Sequence, residues 1–337
     1  MYIYLLQEGL VQYHQGMVYN TIKMISIESK TIVKGRYSMG LPKLNIIGTK
    51  LCDSSGNTIQ LRGISTLGFR YPGYITKESF ETFRDEWNVN TIRLAMYTDE
   101  PGGYCTDGNK EELKSIMVKG VEIATELSMY AIIDWHILYD KSPMVYKDEA
   151  IRFFDEMASL FAGHTNVIYE ICNEPQESPF ESVIRPYATE VIPVIRRHDK
   201  DAIIIVGTNN WSQDVDEVIG HKIEDPGVMY ALHFYAATHQ EKLLKKARTA
   251  LEAQIPIFIS ECSICDASGD GKIDYEWGRK WMDFADENDL SYIVWNLSNK
   301  DESSSILRHD SLSNAHWREE EYSETGRWFR QRMRKDL

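Results

Sequence analysis

With 337 residues, 43% of them hydrophobic, the chain is long enough for one large domain or two ordinary ones, with ample core. A formal net charge of −14 argues against nucleic acid or an anionic membrane surface as a partner and is compatible with a neutral substrate. Five cysteines cannot form a fully paired disulfide framework, no apolar run reaches the length of a membrane span, and Met1 to Leu6 lacks the basic flank and cleavage site of a signal peptide.

Residues 1–42 carry weak periodicity and no chemistry, and read as an N-terminal appendage or linker to a domain over 43–337. Leu44-Asn45-Ile46-Ile47 and Ile59-Gln60-Leu61 flank the turn signal Asp53-Ser54-Ser55-Gly56-Asn57, which predicts a short hairpin ahead of the main fold. Eight strand candidates follow: Gln60–Thr66, Thr91–Tyr97, Tyr130–His136, Val167–Glu174, Ile203–Asn209, Val228–Tyr235, Ile255–Glu261 and Tyr292–Ser298. Helical stretches lie between them, among them Lys110–Leu127, Lys147–Ala162, Phe180–His198, Gln240–Ala253 and Tyr275–Asn288. In Lys147–Ala162 the apolar residues Ala150, Ile151, Phe153, Phe154, Met157, Ala158 and Phe161 recur with a period near 3.6. Strand and helix alternating eight times predict an α/β fold, a (β/α)8 TIM barrel. The alternative, a doubly wound open sheet, usually brings a Gly-rich phosphate turn, and none follows the first strand.

A barrel collects catalytic groups at the C-terminal ends of its strands. The residues closing these strands are Arg93, Tyr97, His136, Asn173, Glu174, His233, Tyr235, Glu261 and Trp295. Each alone has a structural explanation, in an ion pair or in core packing, but their shared rim points to a site. A carboxylic acid at the end of a buried strand is costly to desolvate and adds nothing to a core. Glu174 and Glu261 therefore read as a pair facing one cleft, which is the equipment of glycoside hydrolysis. Cys262-Ser263-Ile264-Cys265 has no second pair, so zinc is not expected. Asp266 to Asp274 resembles the start of a calcium loop, but Trp277 stands where the bidentate acid belongs, and it is read as a surface loop. No cofactor is expected.

Over roughly Leu44 to Leu307 the chain resembles the family 5 glycoside hydrolases, in particular bacterial endo-β-1,4-glucanases (cellulases). The resemblance rests on Leu61-Arg62-Gly63-Ile64-Ser65, Ile92-Arg93-Leu94-Ala95-Met96-Tyr97, Asp134-Trp135-His136, Asn166 to Pro175, Trp211-Ser212-Gln213-Asp214-Val215, His233-Phe234-Tyr235, Ile259-Ser260-Glu261 and Trp295 to Glu302. It implies a retaining mechanism with Glu174 as acid/base and Glu261 as nucleophile, their carboxyls roughly 5–5.5 Å apart. It also implies that Asn173 bonds the sugar 2-hydroxyl, that Arg93 and Tyr235 sit by Glu261, and that His136 and His233 complete the hydrogen-bond shell. Trp295 would be the floor under the sugar at the cleavage point, with Tyr97, Trp211, Lys300 and Glu302 lining the cleft. The implied partner is a β-glucan polysaccharide, met outside the cell by a chain expected to act as a monomer.

Two departures stand out. The family usually has His and Trp where this chain has Leu67 and Tyr71, which predicts a weakened glycone side of the cleft. A β-mannanase or xyloglucanase on the same barrel, or a glycan-binding protein that has lost catalysis, are the alternatives that these changes leave open.

Overall fold

The computed structural model describes residues 41–334. Of the expected appendage, 1–40 lies outside the described residues. Leu41 and Pro42 are tied to the main fold, their carbonyls accepting from Thr165 Oγ1 (2.7 Å) and the Tyr130 hydroxyl (2.8 Å).

A small antiparallel hairpin comes first, β1 (Asn45–Ile47) and β2 (Lys50–Cys52). Its turn is Gly48-Thr49, with Gly48 at φ 64°, a value that suits a two-residue hairpin. The Asp53 turn signal is real but one step later. Asp53 Oδ1 accepts from the amides of Ser55 and Asn57, and the loop closes a bridge between Cys52 and Thr58.

Eight parallel strands then close into a barrel: β3 (Arg62–Thr66), β4 (Thr91–Tyr97), β5 (Tyr130–His136), β6 (Val167–Glu170), β7 (Ile203–Val206), β8 (Val228–Tyr235), β9 (Ile257–Ser263) and β10 (Tyr292–Leu297), with β10 pairing back onto β3. Among the described residues seven helices of ten or more residues accompany them: α1 (Lys77–Trp87), α2 (Lys110–Glu126), α3 (Lys147–Leu160), α4 (Arg185–Arg196), α5 (Glu241–Glu252), α6 (Tyr275–Glu287) and α7 (Glu324–Met333). The eightfold alternation has one gap. Between β7 and β8 the chain makes only single turns, at Asn209–Ser212 and Val215–Val218. That connection holds Gly207, Gly220, Pro226 and Gly227, and no apolar stretch long enough for a helical face. Among the described residues no helix is long and apolar enough to cross a membrane.

Side-chain alternation along the strands sorts the interior into two layers. Outward positions such as Ile92, Leu94, Met96, Ile133, Trp135, Leu232 and Phe234 join the large core under the helices. Inward positions change character along each strand. Tyr130, Ile132, Ile168, Ile203, Ile205, Met229, Ala231 and Phe258 fill the lower barrel, which Leu44 and Leu51 of the hairpin segment close from below. Above them the inward residues are Arg93, Asp134, His136, Glu170, His233 and Tyr235, all buried. The polar layer therefore rests on a packed apolar plug at the strands' C-terminal ends.

Candidate active site

The centre of the polar layer is Arg93, with no exposed surface. Its Nε donates to Glu170 Oε2 (2.7 Å), Nη1 to Glu261 Oε2 (3.2 Å), and Nη2 to Asn173 Oδ1 (2.6 Å), while Asp134 Oδ2 lies 3.0 Å from Nη2. A buried guanidinium with five planar donors can serve several carboxylates at once, which a lysine cannot. The charge and hydrogen bond of Arg93 outweigh burial at Glu170 and hold it down to about 2. At Asp134 burial wins, reinforced by the neighbouring carboxylates, and pushes its carboxyl well above the usual range.

Asp134 in turn fixes His136, whose Nδ1 lies 2.7 Å from Asp134 Oδ2. Burial and the nearby Arg93 charge push His136 down to about 3, so it is neutral, donates from Nδ1 to Asp134, and accepts at Nε2. The Asn173 amide lies 3.3 Å from that Nε2 and donates also to the Ile137 carbonyl (3.1 Å). His136 stacks parallel to Trp295, 5.2 Å between ring centroids.

Glu174 is not at the end of β6, as the strand pattern suggests, but four residues past it. The loop is held by Asn173 N–H to the Trp135 carbonyl (3.2 Å) and by Ser212 Oγ donating to the Asn173 carbonyl (2.6 Å). Glu174 Oε1 lies 2.9 Å from His233 Nδ1, and His233 Nε2 is 2.9 Å from Ser260 Oγ. Burial disfavours the imidazolium, yet Glu170, 3.9 Å away, and Glu174 outweigh burial and push His233 up to about 9. His233 is thus placed to donate from Nδ1 to Glu174.

Glu261 lies within β9 rather than at its end. The register there gains a residue, Ala231 facing Phe258 but His233 facing Glu261. Phe258 points inward and the simple alternation would turn Glu261 out; the bulge restores it to the barrel interior. Its Oε1 accepts from the Tyr235 hydroxyl at 2.7 Å. Glu174, His233 and Glu261 each offer an atom within 4.8 Å of the others, the one group of three potential metal ligands found among the described residues. Their atoms are already committed to one another, to Tyr235 and to Arg93, and a guanidinium 3.2 Å from Glu261 occupies the place of a cation's charge.

A cleft of about 780 Å³ opens above these groups. Glu174, Glu261, His136, His233, Tyr235, Tyr97, Trp295, Trp211, Lys300 and Glu302 all line it, as do Leu67 and Tyr71. Lys300 pairs with Glu302, which also accepts from Asn296 Nδ2 (3.0 Å). Trp211 is 43% exposed at the rim, on a turn where Asn210, Trp211 and Ser212 all have φ near +57°. Arg93 and Asn173 do not face the cleft; they lie beneath it. Both Asn173 amide hydrogens are engaged, so a bond to a sugar hydroxyl must replace the 3.3 Å contact with His136. The residues that sequence reasoning left unassigned are Asp134, Glu170, Ser260, Glu100 and Tyr139. Asp134 and Glu170 carried a signal, an acid at an inward position of an otherwise apolar strand. Leu67 packs with Ala95, Tyr235, Cys265 and Trp295, an apolar contact where a polar one was expected.

The calcium-like loop uses its acids internally. Asp266 Oδ1 accepts from the Ser268 amide (2.9 Å), and Asp270 Oδ1 from the amides of Gly271 (2.8 Å) and Ser303 (3.0 Å).

The family described as Cellulase (glycosyl hydrolase family 5) matches residues 52–301. Endoglucanase A of Butyrivibrio fibrisolvens is 44% identical over 290 residues, 85% of this chain and 67% of that protein. Endoglucanase A of Evansella cellulosilytica is 44% identical over 283 residues, 83% of this chain and 57% of that protein. The chain thus spans between 57% and 67% of the length of these two relatives. Among solved structures, the catalytic domain of Thermobifida fusca endoglucanase Cel5A superposes with a TM-score of 0.83 at 35% identity, covering 89% of this chain and 99% of that one. A variant of that domain in complex with cellotetraose gives 0.82 at 34% identity over the same shares. The eight-stranded barrel, the carboxylate pair in its mouth and a family match over most of the chain have one conclusion: the chain belongs to glycosyl hydrolase family 5, the cellulase family.

Proposed function

We propose that this chain is a retaining endo-β-1,4-glucanase that cleaves cellulose and related β-glucans by double displacement. The observation that carries the reading is the short separation of Glu174 and Glu261, with oxygens within 4.8 Å. Inverting enzymes hold their carboxyls about 6.5–9.5 Å apart to admit water, whereas retaining ones bring them to about 5–5.5 Å.

Glu261 attacks the anomeric carbon while Glu174 gives its proton to the departing oxygen. Arg93 and Tyr235 hold the Glu261 carboxylate in place and stabilise its charge. The imidazolium of His233, 2.9 Å from Glu174, stabilises the carboxylate that this transfer leaves. Once the glycosyl ester forms, Glu261 is neutral. Glu174 then accepts a proton from water, which attacks the same carbon from the opposite face and frees Glu261. The cellotetraose complex of the Thermobifida fusca relative supports a β-glucan as substrate. A polymer of that kind is met outside the cell, and the cleft is complete within one chain, which supports a monomer at work there.

The test is reducing-sugar release from carboxymethylcellulose, barley β-glucan and glucomannan by the wild type and by Glu261→Gln. The expected outcome is glucan cleavage that falls by at least about 10³-fold in the variant. Dominant glucomannan cleavage would instead show that Leu67 and Tyr71 redirect specificity, and equal rates for both proteins would remove Glu261 as nucleophile.

A further inference from the structure

Two large aromatic side chains of the cleft are open to solvent, Trp211 at 43% exposure and Tyr139 at 65%. Tyr139 follows β5, Glu174 follows β6 and Trp211 follows β7, and these three strands are neighbours in the barrel. The Tyr139 loop is bound directly to the acid's own loop. Gln176 donates its amide to the Lys141 carbonyl (2.6 Å) and its side chain to the Leu138 carbonyl (2.8 Å). Asp140 ties the loop from below, accepting from Leu138 N–H (2.8 Å) and from Thr98 Oγ1 (2.9 Å). The exposure of Tyr139 is therefore that of a ring held out on a fixed loop.

Beside it stands a second unexplained group. Glu100 is 4% exposed and lines the same cleft, and its Oε1 accepts from the Tyr139 amide at 3.4 Å. Its Oε2 is buried with no partner. A buried carboxyl oxygen without a hydrogen-bond partner is costly, and such a group in a cleft wall calls for a partner from outside. A flat apolar face with a hydrogen-bonding group in the same cleft wall is the combination that fits a pyranose ring, whose faces are C–H and whose rim is hydroxyl.

We propose that Tyr139 and Glu100 form a sugar subsite on the leaving-group side of the scissile bond, the ring stacking on a glucosyl unit and the Glu100 carboxyl hydrogen-bonding one of its hydroxyls. The side follows from Glu174: an acid that protonates the departing oxygen has the departing sugar next to it, and the Tyr139 loop is fastened to that acid's loop. Trp295, which the family resemblance sets under the sugar retained by the enzyme, lies on β10, four strands from β6 in the closed order. This assignment rests on the reading of Glu174 as the acid.

The test uses the full chain carrying Glu261→Gln, with cellotetraose as titrant in a calorimeter. Adding Tyr139→Ala is expected to weaken binding about 10-fold, Glu100→Ala to weaken it several-fold, and Tyr139→Phe, which keeps the ring, to leave it within about 2-fold. With Glu261 intact, Tyr139→Ala should cut reducing-end-labelled cellopentaose nearer that end, giving shorter leaving fragments. Unchanged affinity in Tyr139→Ala, an equal loss in Tyr139→Phe, or an unchanged cleavage position overturns the subsite alone. Failure of the Glu261→Gln protein itself to bind cellotetraose overturns the glucanase reading along with it.

Discussion

At the scale of single residues, the site is governed by how buried charge is matched. Arg93 and His233 place two positive charges among the buried carboxyls of Asp134, Glu170, Glu174 and Glu261. Removing one partner of such a cluster leaves a buried charge uncompensated, which typically costs 3–5 kcal/mol, so substitutions at Arg93 test folding more than catalysis. Tyr235 is the cleaner probe. Tyr235→Phe keeps the ring and deletes only the 2.7 Å hydrogen bond to Glu261. A hydrogen bond to a charged group contributes about 1.5–3 kcal/mol, and on the proposed mechanism its loss makes Glu261 a poorer leaving group from the glycosyl ester. We expect kcat to fall about 10- to 100-fold with KM falling too, as the ester accumulates. Rates with cello-oligosaccharides and a melting curve within a degree or two of wild type would check this.

At the scale of elements, most of the barrel was legible because strands and helices carry different periods. Six of the eight strands were placed to within two residues at each end, and the helices from Lys110, Lys147 and Tyr275 begin where their patterns begin. The misses have physical causes. The β6 and β7 candidates ran on because Ile171, Cys172 and Gly207 continue an apolar run past the last paired residues, Glu170 and Val206. The Glu261 bulge is invisible in sequence, since it shows only as the register of two facing strands. Helix α1 and helix α7 went unread; α1 has only Phe80, Phe83 and Trp87 as large apolar anchors, and Arg residues mask those of α7. The site was legible where a group ends a strand, as His136 and Tyr235 do. It was not legible where a loop turns a side chain into the cleft, as with Tyr139, and an acid hidden below the cleft, as with Glu170, showed only as a charge in an apolar strand.

At the scale of the whole molecule, the buried groups set the direction of stability with pH. Burial holds Glu100 up to about 7 and Asp140 up to about 6, so the folded protein keeps protons that the unfolded chain releases near pH 4. Stability therefore falls as pH rises from about 4 through 7. His233 acts in the same direction: raised to about 9, its contribution is complete below about 6.5 and lost as pH passes 9. Glu170, held down to about 2, opposes them in acid, its contribution lost as pH falls from about 4 towards 2. The melting temperature should peak in mildly acid solution. Glu100→Gln should flatten its decline between pH 5 and 8, gaining about 2–4 °C at pH 8 for each kcal/mol recovered. The barrel, its polar upper layer and the two facing carboxylates converge on one claim, that a sugar is carried through an ester on Glu261. Proton NMR of the anomeric signal during the first minutes of cello-oligosaccharide hydrolysis tests it most directly. Product appearing first as the β-anomer is what the short Glu174–Glu261 separation predicts, and product appearing first as the α-anomer would contradict it.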